Sequence, residues 1–274
     1  MKSTTVRRVA LSIAVATALA PTAACTSSGS PGGHARPTAA LIAAERSTRK
    51  ADSARVESTT VMGSMMSMTA TGALRWGHGT TGTLTITYTR GTMADAMRRL
   101  GTTSMEARYL PDAYYARMGE KFAEEAGGRH WVRYAYDDLE RLAGGTGVQL
   151  VDQMRNTTPN QSVKLLLASR DVRKAGEEEI RGRHTTHYSG TVDVADLTAP
   201  DLKKRFEQAG VTTQTVDIWV DDRDLLVKKV EKGQVATGLL TQTAYYSDYG
   251  VKVAAERPPA GDTQDFRKLL EKRH

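Results

Sequence analysis

The chain of 274 residues contains one cysteine, Cys25, and this scarcity excludes two common ways of holding a fold together. A single thiol cannot form a disulfide within the chain, and it cannot supply the cysteine ligands of a structural zinc site. The fold must therefore be stabilised by burial of apolar surface, which a chain of this length can provide.

A strong net charge is also missing. The formal net charge is +7, from 38 Lys and Arg against 31 Asp and Glu. Residues 1–24 hold three of the basic residues and none of the acidic ones, so the rest of the chain carries +4. Proteins that bind nucleic acid carry clustered basic stripes. The mild charge therefore argues against a nucleic-acid partner, although it suits contact with anionic lipid headgroups.

The motifs of the common enzyme classes are absent as well. The sequence has no G-x-S-x-G, Walker or dinucleotide-binding motif. Ser47 and Lys50 have the S-x-x-K spacing of penicillin-recognising enzymes, but the S-D-N and K-T-G elements of those enzymes are missing. His184 and His187 are three residues apart, which in a strand places them on opposite faces. The acidic run at 221–224 is more typical of a polar turn than of a cation site. We predict no enzyme activity, no cofactor and no metal.

The first 25 residues have the layout of a bacterial export signal. Arg7 and Arg8 precede a small-apolar run over residues 9–20, which is too short to span a bilayer comfortably. Small residues then lead directly into Cys25, and a flexible polar stretch follows. This arrangement resembles a bacterial lipobox.

The lipobox resemblance implies cleavage before Cys25 and a diacylglyceryl thioether on its sulfur. Two or more acyl chains make a stable membrane anchor, whereas one chain binds only marginally. The alternative is a signal peptide cut near Ala24 that leaves a free thiol. A lone free thiol is unusual in an oxidising compartment, which favours lipidation.

The composition along the chain predicts one folded domain. Residues 1–24 are interpreted as a signal peptide, and residues 25–37 as the lipidated cysteine with a Gly-, Ser- and Pro-rich tether. No later stretch is comparably rich in these residues, so we assign residues 38–274 to a single domain.

Alternation with a period of two dominates that domain. In residues 82–90, Leu84, Ile86 and Tyr88 share one face while threonines occupy the other, which is typical of a half-buried antiparallel strand. Turns are predicted at residues 144–147, 181–183, 221–224 and 232–233. Helices are predicted over residues 38–52, 137–143, 148–155, 159–169, 201–209 and 263–272. Strands are predicted near residues 54–61, 66–71, 82–90, 104–110, 114–118, 130–134, 172–179, 184–192, 213–220, 225–231, 238–246 and 251–255.

This order of elements predicts an α+β fold. We expect a strongly curved antiparallel sheet, or half-barrel, with helices covering its concave face. A sheet of about ten strands must curl or close. Helices that prevent closure can leave the space between sheet and helices hollow.

Three stretches in the second half resemble one protein family. Residues 182–190 have the form G…T-x-Y-x-G, residues 216–221 read V-D-I-W-V-D, and residues 245–253 contain S-D-Y-G before a closing strand. Behind a lipobox, these motifs resemble the LppX/LprG-type envelope lipoproteins of actinobacteria. The fold of that family is similar to that of the lipoprotein carriers LolA and LolB.

The resemblance implies a hydrophobic cavity that holds the acyl chains of a lipid or lipoglycan. It implies a carrier or chaperone anchored by its N-terminal lipid to the outer face of the cell membrane, where an export or transfer protein would be its partner. Apolar residues at strand and helix spacing ordinarily form a packed core, but methionine adapts well to acyl chains. The candidates for ligand contact are Met62, Met66, Met68, Leu74, Leu84, Ile86, Leu150, Val151, Met154, Val163, Leu166 and Leu167.

The sequence leaves two questions open: whether the domain binds a lipid at all, and how a bound lipid would be released. LolA-like folds also occur in envelope-stress sensors that bind peptides or proteins, and a small, packed interior would favour such a module without lipid cargo. If lipid is bound, its release requires an opening. The glycine-rich break at residues 144–147 leads us to predict that the helices of residues 137–169 act as a lid.

Overall fold

The computed structural model describes residues 36–77, 79–142, 151, 158–198, 200–208, 210–235 and 238–271. The predicted signal peptide, Cys25 and the break at residues 144–147 lie outside these residues. Of the helix predicted over residues 148–155, only Val151 is described, and it is helical.

A single sheet of twelve strands dominates the described part of the chain. Its strands are β1 (Ser53–Met62), β2 (Met66–Arg75), β3 (Thr81–Arg90), β4 (Ser104–Tyr109), β5 (Ala113–Arg117), β6 (Trp131–Ala135), β7 (Arg173–Ile180), β8 (Arg183–Asp193), β9 (Thr213–Asp221), β10 (Leu226–Val235), β11 (Gly238–Ser247) and β12 (Thr263–Asp265). Its helices are α1 (Arg36–Ala51), α2 (Thr92–Arg99), α3 (Glu120–Glu125), α4 (Tyr136–Leu142), α5 (Pro159–Leu167), α6 (Pro200–Gln208) and α7 (Phe266–Glu271), with 3₁₀ turns at Val194–Asp196 and Ala260–Asp262. None of the described helices is both long and apolar enough to cross a membrane.

The strand order across the sheet is β12-β6-β5-β4-β3-β2-β1-β11-β10-β9-β8-β7. Every neighbouring pair is antiparallel except β12 and β6, which are parallel. The outer strands β12 and β7 are not paired with each other, so the sheet stays open. The predicted α+β class is confirmed, with one parallel pair added at the edge.

Two glycines allow strands β2 and β3 to coil tightly around each other. Gly72 and Gly82 have φ angles of 156° and 150°, which side-chain-bearing residues rarely adopt. A Cβ atom on Gly72 would lie 2.1 Å from the carbonyl oxygen of Thr83, and one on Gly82 would lie 2.2 Å from that of Ala73. The close approach of the two backbones therefore requires glycine at both positions.

One face of the sheet carries the main hydrophobic core, and we call it the inner face. Val56, Leu84 and Ile218 belong to this core, and α1 and α5 pack over it. Helix α1 is rich in alanine, ends in Arg49 and Lys50 as suits the helix dipole, and buries Leu41. The opposite, outer face carries two smaller clusters around Trp131 and Trp219.

Three local predictions are wrong. Residues 251–255 form no strand, because positive φ angles at Asp248 and Gly250 turn the chain away from the sheet. Residues 232–233 form no turn, because Gly233 pairs with strands on both sides and β10 continues to Val235. The helix predicted from residue 263 begins only at Phe266, because residues 263–265 pair with β6. Helices α2 and α3 were not predicted, being only eight and six residues long.

The segment after β11 crosses the outer face and is fastened there by charged groups. Arg257 donates to both carboxylate oxygens of Asp112, at 3.0 and 2.9 Å. Farther on, the backbone amide of His130 donates to Asp262 at 2.8 Å, and the imidazole Nδ1 lies 2.7 Å from the same oxygen. These contacts place β12 against β6.

The glycine at position 72 provides a test of the tight coiling of β2 on β3. We expect Gly72→Ala to lower the free energy of unfolding by about 2–3 kcal/mol, because its Cβ would overlap the Thr83 carbonyl oxygen. Gly176→Ala is the matched control, since a Cβ at that strand position has no heavy atom within 4 Å. Urea unfolding of both variants measures the difference. Equal effects would contradict the steric argument.

The contact between His130 and Asp262 predicts a pH-dependent stability. The hydrogen bond with Asp262, and secondly that with Glu120, raises the pKa of His130. The stabilising contribution is then fully present below the imidazole's unfolded pKa of about 6.5 and is lost as the pH rises through the raised value. We expect His130→Gln to lower the melting temperature more at about pH 6 than at about pH 8.5.

The variant Asp262→Asn is the control for this contact. In its background, the pH dependence caused by His130→Gln should become smaller, because only the contact with Glu120 then favours the charged imidazole. A His130→Gln effect that is the same at both pH values would contradict the prediction.

Candidate functional site

The strand registers bring all six predicted ligand-contact residues of the sheet onto the inner face. Met62 pairs with Met66, and Thr60 pairs with Met68, so these side chains share a face across β1 and β2. In β2 and β3, Leu74 pairs with Gly82, Gly72 with Leu84, and Ala70 with Ile86, which continues the same face. Period-two alternation thus identified the face correctly.

Small side chains occupy the middle of the inner face. Ser58 pairs with Ala244 on one side and Ala70 on the other. Toward β5, Ala107 pairs with Ala116. Such short side chains leave the volume above the central strands to be filled by something other than the sheet itself.

The helices cover this face with apolar residues. Val163 and Leu166 of α5 and the helical Val151 are fully buried in the inner-face core, and Leu167 packs at its margin. Close approach of α5 depends on Gly190 of β8, since a Cβ there would lie 2.9 Å from a methyl carbon of Leu166. Leu150 and Met154, the other two predicted contacts, lie outside the described residues.

The predicted contacts differ in exposure along the strands. Leu74, Leu84 and Ile86 are buried, whereas Met62, Met66 and Met68 near the other end of the strands are partly exposed. Tyr88 and Met105, on the neighbouring strands, are partly exposed in the same way and pack against the core. The inner face therefore has a closed part around Leu84 and a more accessible part around Met68.

An aromatic cluster on the inner face was not predicted. The rings of Tyr109 and Tyr114 lie 5.2 Å apart, those of Tyr114 and Tyr134 5.8 Å, and those of Tyr134 and Phe266 4.7 Å. Burial raises the pKa of Tyr88, Tyr109, Tyr114 and Tyr134. These side chains are therefore neutral at physiological pH and offer a wall that combines apolar rings with hydroxyl groups.

A buried ion pair on the inner face was also missed. Lys229 of β10 lies between Ala244 and Ile218, and its Nζ is 3.3 Å from Oε1 of Glu231. Burial alone would lower the pKa of Lys229, but the attraction of Glu231 raises it above its ordinary value. Alternation along the strand places residues 229 and 231 on the inner face, but charged side chains are rarely buried, so the pattern alone does not indicate a buried pair.

The family motifs themselves carry structural roles. In V-D-I-W-V-D, Val216 and Ile218 are fully buried on the inner face, while Trp219 lies on the outer face. The indole of Trp219 stacks on the imidazole of His187 at 4.2 Å, and Nε2 of His187 lies 2.9 Å from Asp217. Tyr249 of S-D-Y-G donates its hydroxyl to the carbonyl oxygen of Leu226 at 2.6 Å.

The outer face offers a second concave feature, which is less suited to a ligand. A cleft of about 240 Å³ lies beside the C-terminal segment and is bordered by Arg133 and Arg257. Arg257 is paired with Asp112, and Nη1 of Arg133 is 2.9 Å from Asp265, so both cations have carboxylate partners. Among the residues that the structure describes, no group of three metal-binding side chains occurs.

The architecture defines the class of the molecule. It is an open, curved α+β sheet with helices over an apolar inner face and no convergent set of reactive polar groups among the residues described above. Comparison with known proteins then gives the family.

No family model matches the chain. The chain is 58% identical, over 98% of both chains, to a Streptomyces coelicolor protein named "Putative lipoprotein SCO4650". It therefore belongs to the same family as that protein.

Two solved structures are similar in fold. LprF from Mycobacterium bovis has a TM-score of 0.47 at 15% identity, covering 83% of this chain and 99% of its own. The lipoprotein LppX from Mycobacterium tuberculosis has a TM-score of 0.47 at 14% identity, covering 80% and 99%. At these identities the similarity concerns the fold alone. The predicted resemblance is confirmed to this extent: a close relative is named as a lipoprotein, and LppX is among the structures that the chain matches.

The ion pair on the inner face provides a test of its energetic coupling. We expect Glu231→Gln to lower the free energy of unfolding by about 3 kcal/mol, because the ammonium group of Lys229 would remain buried without its carboxylate. The double variant Lys229→Met with Glu231→Met should lie within about 1 kcal/mol of the wild type. Urea unfolding at neutral pH measures both. If the double variant is as unstable as the single one, the two charges are not coupled.

Proposed function

We propose that this protein is an envelope lipoprotein that binds the acyl chains of a lipid or lipoglycan on its inner face. In this proposal Cys25 carries the lipid anchor, residues 25–37 form the tether, and residues 38–274 are the binding domain on the extracytoplasmic side of the cell membrane. The protein acts as a carrier or chaperone and not as an enzyme. The name of its Streptomyces coelicolor relative supports the lipoprotein part.

The observation that carries the lipid part is the composition of the inner face. Short side chains at positions 58, 70 and 244 form its middle, with methionines on one side and buried leucines on the other. An acyl chain placed there would displace the side chains that cover Ala70 and Ala244 and the water beside the partly exposed Ser58. Each methylene group so buried contributes on the order of 0.8 kcal/mol, so a single long chain can compensate for leaving the bilayer.

We assign different roles to the predicted contacts. The partly exposed Met62, Met66 and Met68 would meet the acyl chain first, because flexible thioether side chains adapt to its shape. The buried residues Leu74, Leu84, Ile86, Val151, Val163 and Leu166, with Leu167 at the margin and with Leu150 and Met154 beyond the described residues, would line its deeper part.

The packing of α5 refines the predicted lid. Val163 and Leu166 are fully buried, and Asn160 and Lys164 reach Glu45 of α1 at 3.3 and 3.7 Å. This helix is tied both to α1 and to the sheet. We therefore propose that α5 is a fixed wall and that any opening involves residues that precede it.

The rival function is a LolA-like sensor or peptide-binding module without lipid cargo. The near-complete burial of Leu74, Leu84 and Ile86 favours it, because side chains that already pack against one another need no ligand. The two functions differ in whether lipid copurifies with the protein.

The decisive measurement is mass spectrometry of lipids that copurify with the full chain from its native membrane. We expect a bound amphiphile with at least one long acyl chain. We further expect Ser58→Leu with Ala70→Leu to lower its amount about ten-fold or more, because the added side chains would fill the space of two or three methylene groups.

The matched control is Thr59→Leu with Thr69→Leu. These residues form the adjacent registered pair on the same two strands, and their side chains point to the outer face. This pair should leave the copurifying lipid unchanged. A wild-type preparation free of amphiphile, or equal losses in both variants, would count against the lipid-binding function and favour the sensor.

A further inference from the structure

Two of the three exposed large hydrophobic residues in the described chain lie at the same end of the sheet. Leu239 is 52% exposed and Met93 is 40% exposed, whereas the third, Ile42, lies on α1. The carbonyl oxygen of Leu239 accepts from the amide of Gly63 at 3.1 Å, and that of Met65 accepts from the amide of Met93 at 3.1 Å. Both exposed residues therefore flank the turn between β1 and β2.

We call this surface the methionine rim and define it as Met62, Met65, Met66, Met93 and Leu239. Its backbone is firmly held, since the hydroxyl of Thr92 also donates to the carbonyl oxygen of Met65 at 3.3 Å. A Cβ on Gly91 would lie 2.5 Å from that same oxygen, so α2 begins in direct contact with the turn. The exposed side chains of Met93 and Leu239 are therefore carried by backbone that hydrogen bonds hold in place.

The charges around the rim are mainly positive. Arg90 pairs in register with Ser67, next to Met66, and Lys232 pairs with Thr241, two residues from Leu239. Both cations are exposed, and neither forms an ion pair with any residue that the structure describes. Across residues 62–66, 90–95, 232–235 and 238–241, the only carboxylate is that of Asp95. Asp95 is already paired with Arg98 of the same helix.

Exposed methionine and leucine side chains bordered by cations match the chemistry of a membrane surface. Apolar side chains can enter the boundary between headgroups and acyl chains, while nearby Lys and Arg side chains are attracted to anionic lipids. A protein partner of the same apolar chemistry would not by itself require the unpaired cations. The charge pattern therefore favours a membrane with anionic headgroups over a protein partner.

We propose that the methionine rim docks on the anionic membrane surface, so that this end of the sheet faces the lipid headgroups. Met93 and Leu239 insert at the interface, and Arg90 and Lys232 contact lipid phosphates. Docking places the accessible, methionine-lined part of the inner face next to the membrane. It goes beyond the proposed function and holds whether or not the inner face carries a lipid.

Hydrogen–deuterium exchange of the full chain, as purified from its host, tests this contact. The chain is measured in detergent, in nanodiscs of phosphatidylcholine, and in nanodiscs of phosphatidylcholine with a minor fraction of phosphatidylglycerol. Peptides that contain Met65, Met93 or Leu239 should exchange about five-fold more slowly with phosphatidylglycerol present. Peptides from β7, at the far edge of the sheet, should not change.

Variants separate the apolar and the charged contributions. Met93→Ser with Leu239→Ser should abolish the protection, whereas Ile42→Ser, the matched exposed residue on α1, should retain it. Arg90→Gln should reduce the protection that phosphatidylglycerol adds.

Three results would overturn the proposal. One is equal exchange of the rim peptides in detergent and in both nanodiscs. Another is protection that persists in Met93→Ser with Leu239→Ser. The third is protection that rises with protein concentration but not with anionic lipid, which would make the rim a contact between copies of the chain. None of these results affects the lipid analysis of the purified protein, so the two proposals fail separately.

Discussion

The structure depends on one constraint, the register of the antiparallel strands from β7 to β6, which shifts by a residue at three bulges in the described strands. Because side chains alternate between the faces of a strand, each registered pair assigns its two residues to the same side. Across this sheet the assignment brings Ala70, Ser58, Ala244 and Lys229 into one row, although they are spread over more than 170 positions of sequence. A slip of one residue in β1 would exchange the inner and outer faces along that strand and turn Val56 out of the inner-face core.

The fold could be predicted where the local pattern and the tertiary environment agree. Threonine alternating with Leu84, Ile86 and Tyr88 gave β3 and its buried face correctly. Prediction failed where pairing with neighbouring strands determines the local conformation. Gly233 indicates a turn by itself, but hydrogen bonding to strands on both sides keeps it extended. The sequence of residues 263–265 favours the start of a helix, but these residues form a strand because they pair with the edge of β6.

The candidate site was predictable for its apolar part and not for its polar part. Hydrophobic periodicity located Met62, Met68 and Leu84 on a common face, because burial follows apolar side chains. Lys229 and Glu231 lie on the same face although they are charged. The ion pair between them offsets the cost of burying Lys229, and the spacing of residues in the sequence does not reveal such a pair. The tyrosine cluster depends likewise on β4, β5 and β6 meeting in register, which single-strand patterns do not specify.

The parallel pairing of β12 with β6 has a consequence for how the chain is assembled. β12 lies more than 120 positions after β6 in the sequence, so the edge of β6 stays unpaired until residues 263–265 have been synthesised. An uncovered strand edge is a template for association with other chains. The opposite edge, β7, needs no such cover, because Lys174, Glu177, Glu178 and Glu179 make it highly charged. A newly made chain is therefore open to association at one edge of the sheet only, and pairing of β12 with β6 closes that edge.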